Sequence, residues 1–310
     1  MGSPRPLVSV LCMTYRHAPF IEQCVRSLVS QKTNFDFETI VRDDASDDGT
    51  QPILERLQRE YPHRLKLILE KTNTFAVERA STALLRSASG KYIAFIEGDD
   101  YWSSLTKLQE CVDCLERDES LSMVGHLTEI EVVGGFETDR EDFSLLGQPG
   151  LNSRGTFPGC HTSSIVLRAE TLIPRWQEIP DVPYNDMKIK MLAAESGRTL
   201  VIPKVMSVYR VHSGGRFSGD SRLARKLTGR RTALLLLPFC VLTEQYFRHN
   251  IISLSRDCVR DLVRCKKPFS AISHLVESLD YANSWELKVH LLAPPFSRRV
   301  YHFFKSFLSH

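Results

Sequence analysis

The stretch KYIAFIEGDDYW, residues 91–102, drives an apolar run straight into three carboxylates. KYIAFIE (91–97) reads as a buried strand, because the run is short, continuous and rich in β-branched and aromatic side chains. Glu97 ends it, Asp99 and Asp100 follow, and Tyr101 and Trp102 close the cluster. Carboxylates this close repel one another unless something positive sits between them. One reading is an exposed acidic loop whose aspartates start the helix of SSLTKLQECVDCLE. A helix start needs only one cap residue, however, and this loop places three carboxylates beside a buried strand. Clustered there, they suit a Mg2+ or Mn2+ ion shared with phosphate oxygens.

Upstream, LVSVLCM (7–13) reads as another buried strand, followed by the loop TYRHAP and a helix with Phe20, Ile21, Cys24, Val25, Leu28 and Val29 at helical spacing. The strand FETIVRD (37–43) runs into DDASDDGT. A helix over 51–60, the strand RLKLILE (64–70) and a helix over 77–88 lead back to the opening stretch. Strands alternating with helices at these intervals predict a mainly parallel sheet covered by helices. In such sheets ligands sit beyond the carboxyl ends of the strands, which puts TYRH, DDASDDGT and EGDDYW on one rim.

Downstream, a helix over 104–117 precedes an irregular Gly-rich and acidic section (134–159) and a strand HTSSIVLR (161–168) in the acceptor-facing half of the same domain. A helix over 185–196 ends at Gly197, read as its C-terminal cap, and the strand TLVIPKVMSVYRVH runs to Gly214 and Gly215. From 222 onward the pattern is helical and basic. The expected organisation is an α/β catalytic domain over 1–220 and a basic helical region over 221–310.

A chain of 310 residues with 42% hydrophobic and 25% charged residues has the composition of a folded globular protein and excludes disorder throughout. The net charge of +3 conceals an asymmetry. From Ser221 onward there are about 15 Lys and Arg against 6 Asp and Glu, so about +9 there and −6 before it. Eight cysteines without a secretory pattern, and no leader at MGSPRPLVSV, lead us to expect the cytoplasm. Cys111 and Cys114 form one C-x-x-C at helical apolar spacing, which reads as structural, with zinc or redox chemistry as the alternative. The longest apolar run, ALLLLPFCVL (233–242), is about half a bilayer span and contains Pro238, which predicts a buried or interfacial helix.

Asp44, Ser46, Asp48, Gly49 and Glu55 approach the calcium-loop pattern, but the preceding segment alternates like a strand and Pro52 lies within the loop. An Asp-rich turn explains Ser46 to Thr50, and leaves Asp43 and Asp44 at the strand end for a ligand.

Taken in order, SVLCMTYRHAPFIEQCVRSLVSQ, DDASDDGT and GKYIAFIEGDDYW resemble the family 2 glycosyltransferases, over roughly residues 6–216. The resemblance implies a GT-A fold: a Rossmann-like, mixed and mainly parallel sheet flanked by helices, here with a C-terminal helical extension. It implies a nucleotide-diphosphosugar donor, with a UDP-sugar expected, and Mn2+ or Mg2+ as cofactor. It places Thr14 and Tyr15 near the nucleotide, Asp44 near the base and ribose with Asp43 as a further nucleotide-sugar-binding residue, Asp99 on the ribose or diphosphate and the metal, and Asp100 on the metal. Glu97 stands where many relatives carry Asp, as a direct ligand or a carboxylate behind one.

YNDMKIKMLAAESG resembles the segment that supplies the family's general base, which places that role on Asp186; the alternative is a carboxylate that merely favours the helix N-terminus. VMSVYRVHSGG resembles the stretch that closes over the diphosphate, with Arg210 as counter-charge and His212 as a metal or phosphate ligand or simply hydrogen-bonded. The Arg-Asn pair many relatives carry before Gly90 is absent from ERASTALLRSASG, so no donor contact is carried over there.

The resemblance implies inverting transfer to a glycan or lipid-linked acceptor in surface-polysaccharide synthesis. A sugar-nucleotide nucleotidyltransferase would carry a Gly-rich phosphate loop after the first strand, whereas TYRHAP has no glycine. A silent sugar-nucleotide-binding module would keep the rim and lack the base. In the tail, RRVYHFFKSFL (298–308) interleaves cations and aromatics, which suits an anionic membrane surface, an oligomer contact or packing on the catalytic domain. No motif points to nucleic acid.

Overall fold

A computed structural model describes residues 5–74, 80–134, 145–215 and 220–264. The chain divides into two compact units, one formed by residues up to Asp181 with Ile189–Gly219, the other by Val182–Lys188 with the residues from Asp220. The notable difference from the expected boundary is that the short segment carrying Asp186 groups with the C-terminal helices.

The first unit is built on β1 (Val8–Thr14), α1 (Ile21–Val29), β2 (Phe37–Asp43), α2 (Thr50–Glu60), β3 (Leu65–Leu69), α3 (Ala80–Ser87), β4 (Tyr92–Glu97), β5 (Tyr101–Trp102) and α4 (Lys107–Arg117). It continues through β6 (Leu121–Val132), β7 (Leu145–Leu146), β8 (Gly150–Asn152), a 3-10 turn at Thr162–Ser164, β9 (Val166–Arg168) and α5 (Ala169–Trp176). Helix α6 (Asn185–Ser196) begins in the second unit and ends in the first, and β10 (Arg198–Val211) follows.

The strands form one mixed sheet in the order β3-β2-β1-β4-β9-β6-β10-β5, with β7 on β6 and β8 on β10. The β3, β2, β1 and β4 segment is parallel, as the β/α alternation predicts, and β9 inserts antiparallel between β4 and β6. Buried Val10 and Cys12 of β1, Ala94 and Ile96 of β4, and the apolar face of α1 (Ile21, Cys24, Val25, Leu28, Val29) form the core beneath the rim. Burying a large apolar side chain of this kind contributes about 1.5–3 kcal/mol.

Several expectations change. HTSSIVLR is not a strand throughout: the His161 side chain accepts from the Ser163 N–H and caps a 3-10 turn, leaving three residues for β9. Strand β6 is not marked in the sequence pattern, because buried Ser122, His126 and Thr128 interrupt its apolar run. Nor is α5, which accommodates Pro174. Gly197 is not a left-handed cap; it allows close approach, since a Cβ there would stand 2.7 Å from the Ser120 carbonyl oxygen. Within the 134–159 section, β7 and β8 are strands.

In the second unit, α7 (Arg222–Leu236) and α8 (Glu244–Arg264) are joined through a 3-10 turn at Leu237–Phe239. Lys226 bridges to Asp257 and Asp261 at 3.5 and 2.9 Å, and Arg230 Nε donates to Ser255 Oγ at 2.7 Å. The apolar run 233–242 is thus not one helix: it breaks at the turn containing Pro238, whose ring cannot continue a helix. Among the described residues no helix is long and apolar enough to cross a membrane. The aromatic-basic segment 298–308 lies outside the described residues.

Candidate active site

Register aligns the three loops. Thr14, the last residue of β1, pairs with Asp43, the last of β2, while Met13 pairs with Glu97 at the end of β4. The loops after these strands therefore leave the sheet side by side.

The first two are knotted together. Arg16 donates from its backbone N–H to Ser46 Oγ at 2.7 Å and from its guanidinium to both Asp47 oxygens at 2.7 Å. The Ala18 N–H reaches Asp48 Oδ2 at 3.0 Å, and the His17 N–H reaches Thr50 Oγ1 at 3.0 Å. Arg16 and Ala45 have φ of 57° and 64°. Among the described residues no other non-glycine residue has positive φ, and such strain of about 1–3 kcal/mol each gathers at functional sites.

Asp43 is buried, and its carboxylate accepts from Ser46 N–H, Ser46 Oγ and Gln51 Nε2 at 2.9, 2.5 and 2.6 Å, which shapes the Asp-rich turn. Gly49 supplies the left-handed residue (φ 98°) ahead of α2. Asp44 accepts from Thr74 N–H and Oγ1 at 2.9 and 2.8 Å, with buried Arg42 behind it. Thr14 is buried, its hydroxyl 3.2 Å from His17 Nδ1, while Tyr15 is 40% exposed beneath the Arg16 guanidinium, 5.3 Å from the ring centroid.

Glu97 is exposed, but Gly98, Asp99 and Asp100 turn inward. The Gly98 N–H donates to Met13 O at 2.8 Å, and a Cβ at this position would fall 2.6 Å from Thr14 Oγ1, so the turn lies directly against β1. Asp99 Oδ2 lies 3.2 Å from His212 Nε2 and 3.5 Å from His17 Nε2. Burial opposes ionisation of Asp99, but the two histidines outweigh it and hold the carboxyl below its ordinary value. Burial also pushes His17 down.

Asp100 Oδ1 accepts from the Arg210 N–H at 3.0 Å. Burial raises the Asp100 carboxyl well above its ordinary value, and the charges of Asp99 and Glu97 push the same way. Arg210 spans the cluster, donating to Asp99 O at 2.8 Å, to Glu131 Oε2 at 3.2 Å and to Gln23 Oε1.

Asp99 Oδ1 and Asp100 Oδ2 are buried without a hydrogen-bond partner. Two adjacent buried carboxylates, each with an unsatisfied oxygen, fit a hard divalent cation. Among the described residues no three His, Cys, Asp or Glu side chains form a ready-made cage. Cys111 and Cys114 are free thiols, both raised by burial, Cys111 to about 12, which is the behaviour of inert helix residues.

The structure thus gathers Thr14, Asp99, Asp100, Arg210 and His212 into one contact network, with Asp43 and Asp44 on the adjoining loop. Asp186 lies in the first turn of α6, within the segment of the second unit. Sequence reasoning missed His17 and also His161, whose Nδ1 is 3.8 Å from Asp100 Oδ2. The only signal for His17 was its place in the TYRH loop.

The site therefore sits on a mixed α/β sheet, with two adjacent buried aspartates beyond the carboxyl end of a central strand. Residues 9–172 match the family described as Glycosyl transferase family 2, and the chain belongs to that family. An uncharacterized protein of Mycobacterium tuberculosis is 29% identical over 216 residues, 67% of this chain and 60% of the relative. The match therefore spans only about 60% of that relative's length. Among solved structures, S. aureus TarS in complex with UDP-GlcNAc superimposes with a TM-score of 0.63 at 20% identity, covering 88% of this chain and 81% of that one. The mannosyltransferase PcManGT from Pyrobaculum calidifontis, in complex with GDP-Man and Mn2+, gives 0.58 at 19% identity, covering 97% and 85%. These likenesses establish the GT-A fold.

Proposed function

We propose that the protein transfers a sugar, with inversion, from a nucleotide-diphosphate donor, a UDP-sugar in the first instance, to a glycan or lipid-linked acceptor in polysaccharide synthesis at the cytoplasmic side of the membrane. The observation that carries this reading is the pair of buried carboxylate oxygens, Asp99 Oδ1 and Asp100 Oδ2, unsatisfied at the carboxyl end of β4 beside Thr14 and Asp44.

Asp100 and Asp99 would hold Mn2+ or Mg2+, with His212 completing the set or steadying Asp99 through its 3.2 Å contact. A cation held by these residues would supply positive charge against the departing nucleoside diphosphate. Exposed Tyr15 offers a face to the nucleobase, Asp44 takes the ribose, and Asp43, saturated by Ser46 and Gln51, shapes the loop that presents it. Thr14 seats the Gly98 turn. Arg210 holds Asp99 and Asp100 in place through its own N–H groups.

On the strength of the sequence resemblance, Asp186 takes the proton from the acceptor hydroxyl as it attacks the anomeric carbon from the side opposite the leaving group. The test is calorimetric titration with UDP-, GDP- and dTDP-sugars in the presence and absence of Mn2+, followed by assay for released nucleoside diphosphate. Metal-dependent binding of one donor is expected. Absence of binding by every donor at millimolar concentration would refute the reading.

A further inference from the structure

We propose that Lys107 is a positioning residue for the donor site: its buried ammonium braces the Trp102 indole and so fixes the Asp99–Asp100 turn against the sheet. The proposal rests on the reading of that turn as the donor and metal site.

Lys107 is the first residue of α4 and is fully buried, and its Nζ makes no hydrogen bond. Stability alone argues against it there. A cation is disfavoured at a helix N-terminus, and an unpaired buried charge costs more still. The groups facing the ammonium supply no anion. Cys111, one turn along α4, stays a neutral thiol, raised by burial to about 12. His126 on β6 is held neutral, pushed down to about 3 by burial and by Lys107 itself, and its Nε2 also lacks a partner.

The aromatic ring takes the place of the missing anion. Nζ stands 3.9 Å from the Trp102 ring centroid, in the dry setting where a cation–π contact is strongest, and indole is the best of the aromatic faces. Trp102 is itself tied down, its Nε1–H donating to Ser163 O at 2.9 Å and its backbone N–H to Ser27 Oγ at 3.1 Å.

Trp102 lies two residues beyond Asp100, and β5 presents Tyr101 and Trp102 to opposite faces, as successive strand residues do. The other face carries a second cation: the Arg210 guanidinium lies 4.5 Å from the Tyr101 ring centroid. The same Arg210 binds Asp99 O and Asp100 Oδ1. Two cations therefore clamp the dipeptide that follows the aspartates, Arg210 from the rim and Lys107 from the core. Burial lowers Lys107 to about 8, so the ammonium persists at neutral pH.

The test uses the full-length chain with Lys107→Met, which fills the same space without charge, and measures three quantities. These are thermal stability, hydrogen exchange of the backbone over 98–104, and affinity for UDP and GDP with Mn2+. A melting temperature equal to or above wild type, with about tenfold faster exchange over 98–104 and about tenfold weaker nucleotide binding, is expected. A folded variant with wild-type exchange over 98–104 overturns the proposal.

If Lys107→Met does not fold, Trp102→Phe and Trp102→Leu decide. The ring-retaining variant should stay within a few-fold of wild type in exchange and the leucine variant should not; equal behaviour of the two overturns the brace. A wild-type protein that binds neither nucleotide refutes the donor reading for those bases, while the exchange measurement still decides the role of Lys107.

Discussion

Gly98→Ala tests whether the Gly98–Asp100 turn owes its position to direct contact with β1. The added Cβ would stand 2.6 Å from Thr14 Oγ1, 2.7 Å from Thr14 Cβ and 2.9 Å from Ile21 Cδ1. Unstrained carbon contacts lie near 3.5–4.0 Å, so the groups must separate by about 1 Å. Thr14 cannot yield, and buried Ile21 can give only at its Cδ1 end. Thr14 is locked by its pairing with Asp43, its Cβ is fixed to the backbone, and Ile21 is fully buried at the start of α1. The turn itself must therefore move, carrying Asp99 and Asp100 outward and stretching the 2.8 Å bond from Gly98 N–H to Met13 O.

Overpacking of this kind costs about 1–3 kcal/mol, and the lower unfolded-state entropy of alanine, worth about 0.4–1 kcal/mol, offsets only part. For a chain of this size each kcal/mol is roughly 2–3 °C in Tm, so the net cost, at most about 2.6 kcal/mol, lowers Tm by up to about 5–8 °C. The functional effect should be larger in proportion, because a displacement of about 1 Å at a reacting group lowers catalysis on the order of 10²-fold. Differential scanning calorimetry, Mn2+-dependent nucleotide titration and an assay for released nucleoside diphosphate measure stability, binding and turnover. Gly159→Ala serves as control, since its Cβ would meet only Gln148 at 3.4 Å or beyond. Wild-type nucleotide affinity in Gly98→Ala, with Tm within about 1 °C of wild type by the same measurement, would refute the reasoning.

Three further outcomes follow from the site. Asp100→Asn removes one of two adjacent buried carboxylates and should leave the metal-free Tm unchanged or higher; it should also abolish the stabilisation that Mn2+ with a nucleoside diphosphate gives the wild type, about 2.7 kcal/mol at a hundredfold excess over Kd. Asp186→Asn should lower transfer by about 10²–10⁴-fold with nucleotide affinity retained, as a product-release assay beside calorimetry will show. For Lys107, a folded-state value of about 8 against an ordinary 10.5 means that the unfolded chain holds more protons between those pH values, so this residue makes stability rise with pH there. The difference corresponds to about 3 kcal/mol, and the Tm advantage of Lys107→Met over wild type should be full below about pH 8 and shrink toward pH 10.5.

The parallel half of the sheet was legible because its strands are compact apolar or alternating runs ending in a polar loop, and β/α alternation then dictates which ends share a rim. The other half was not. Strand β6 buries Ser122, His126 and Thr128 in its first eight residues, so no period marks it. In HTSSIVLR the β-branched composition suggested a strand, but the imidazole at its head satisfies a backbone N–H and turns the chain first. Asp99 and Asp100 announced themselves by like charge beside an apolar strand. His17, His161 and Lys107 did not, because their importance lies in partners 82, 61 and 5 positions away in the chain, which only the fold brings into contact.

Several residues around the site share a physical character. Arg16 and Ala45 occupy left-handed backbone, Asp100 and Asp99 are neighbouring carboxylates in a dry site, and Lys107 is a buried cation without an anion. Each lowers the stability of the free protein, and all bear on one rim of one sheet. A domain selected for stability alone would replace most of them with glycine at the turns and apolar groups in the core. A site that must present two orphaned carboxylate oxygens in a fixed geometry cannot, because relaxing the turn would let those oxygens find partners within the protein. The unfavourable terms are therefore consistent with a rim held ready for cation and phosphate. Ligand binding should consequently stiffen residues 98–102 more than the distant strand β3, a contrast that hydrogen exchange with and without Mn2+ and nucleotide can measure. Uniform protection across both segments would mean that the rim is no more poised than the rest of the sheet.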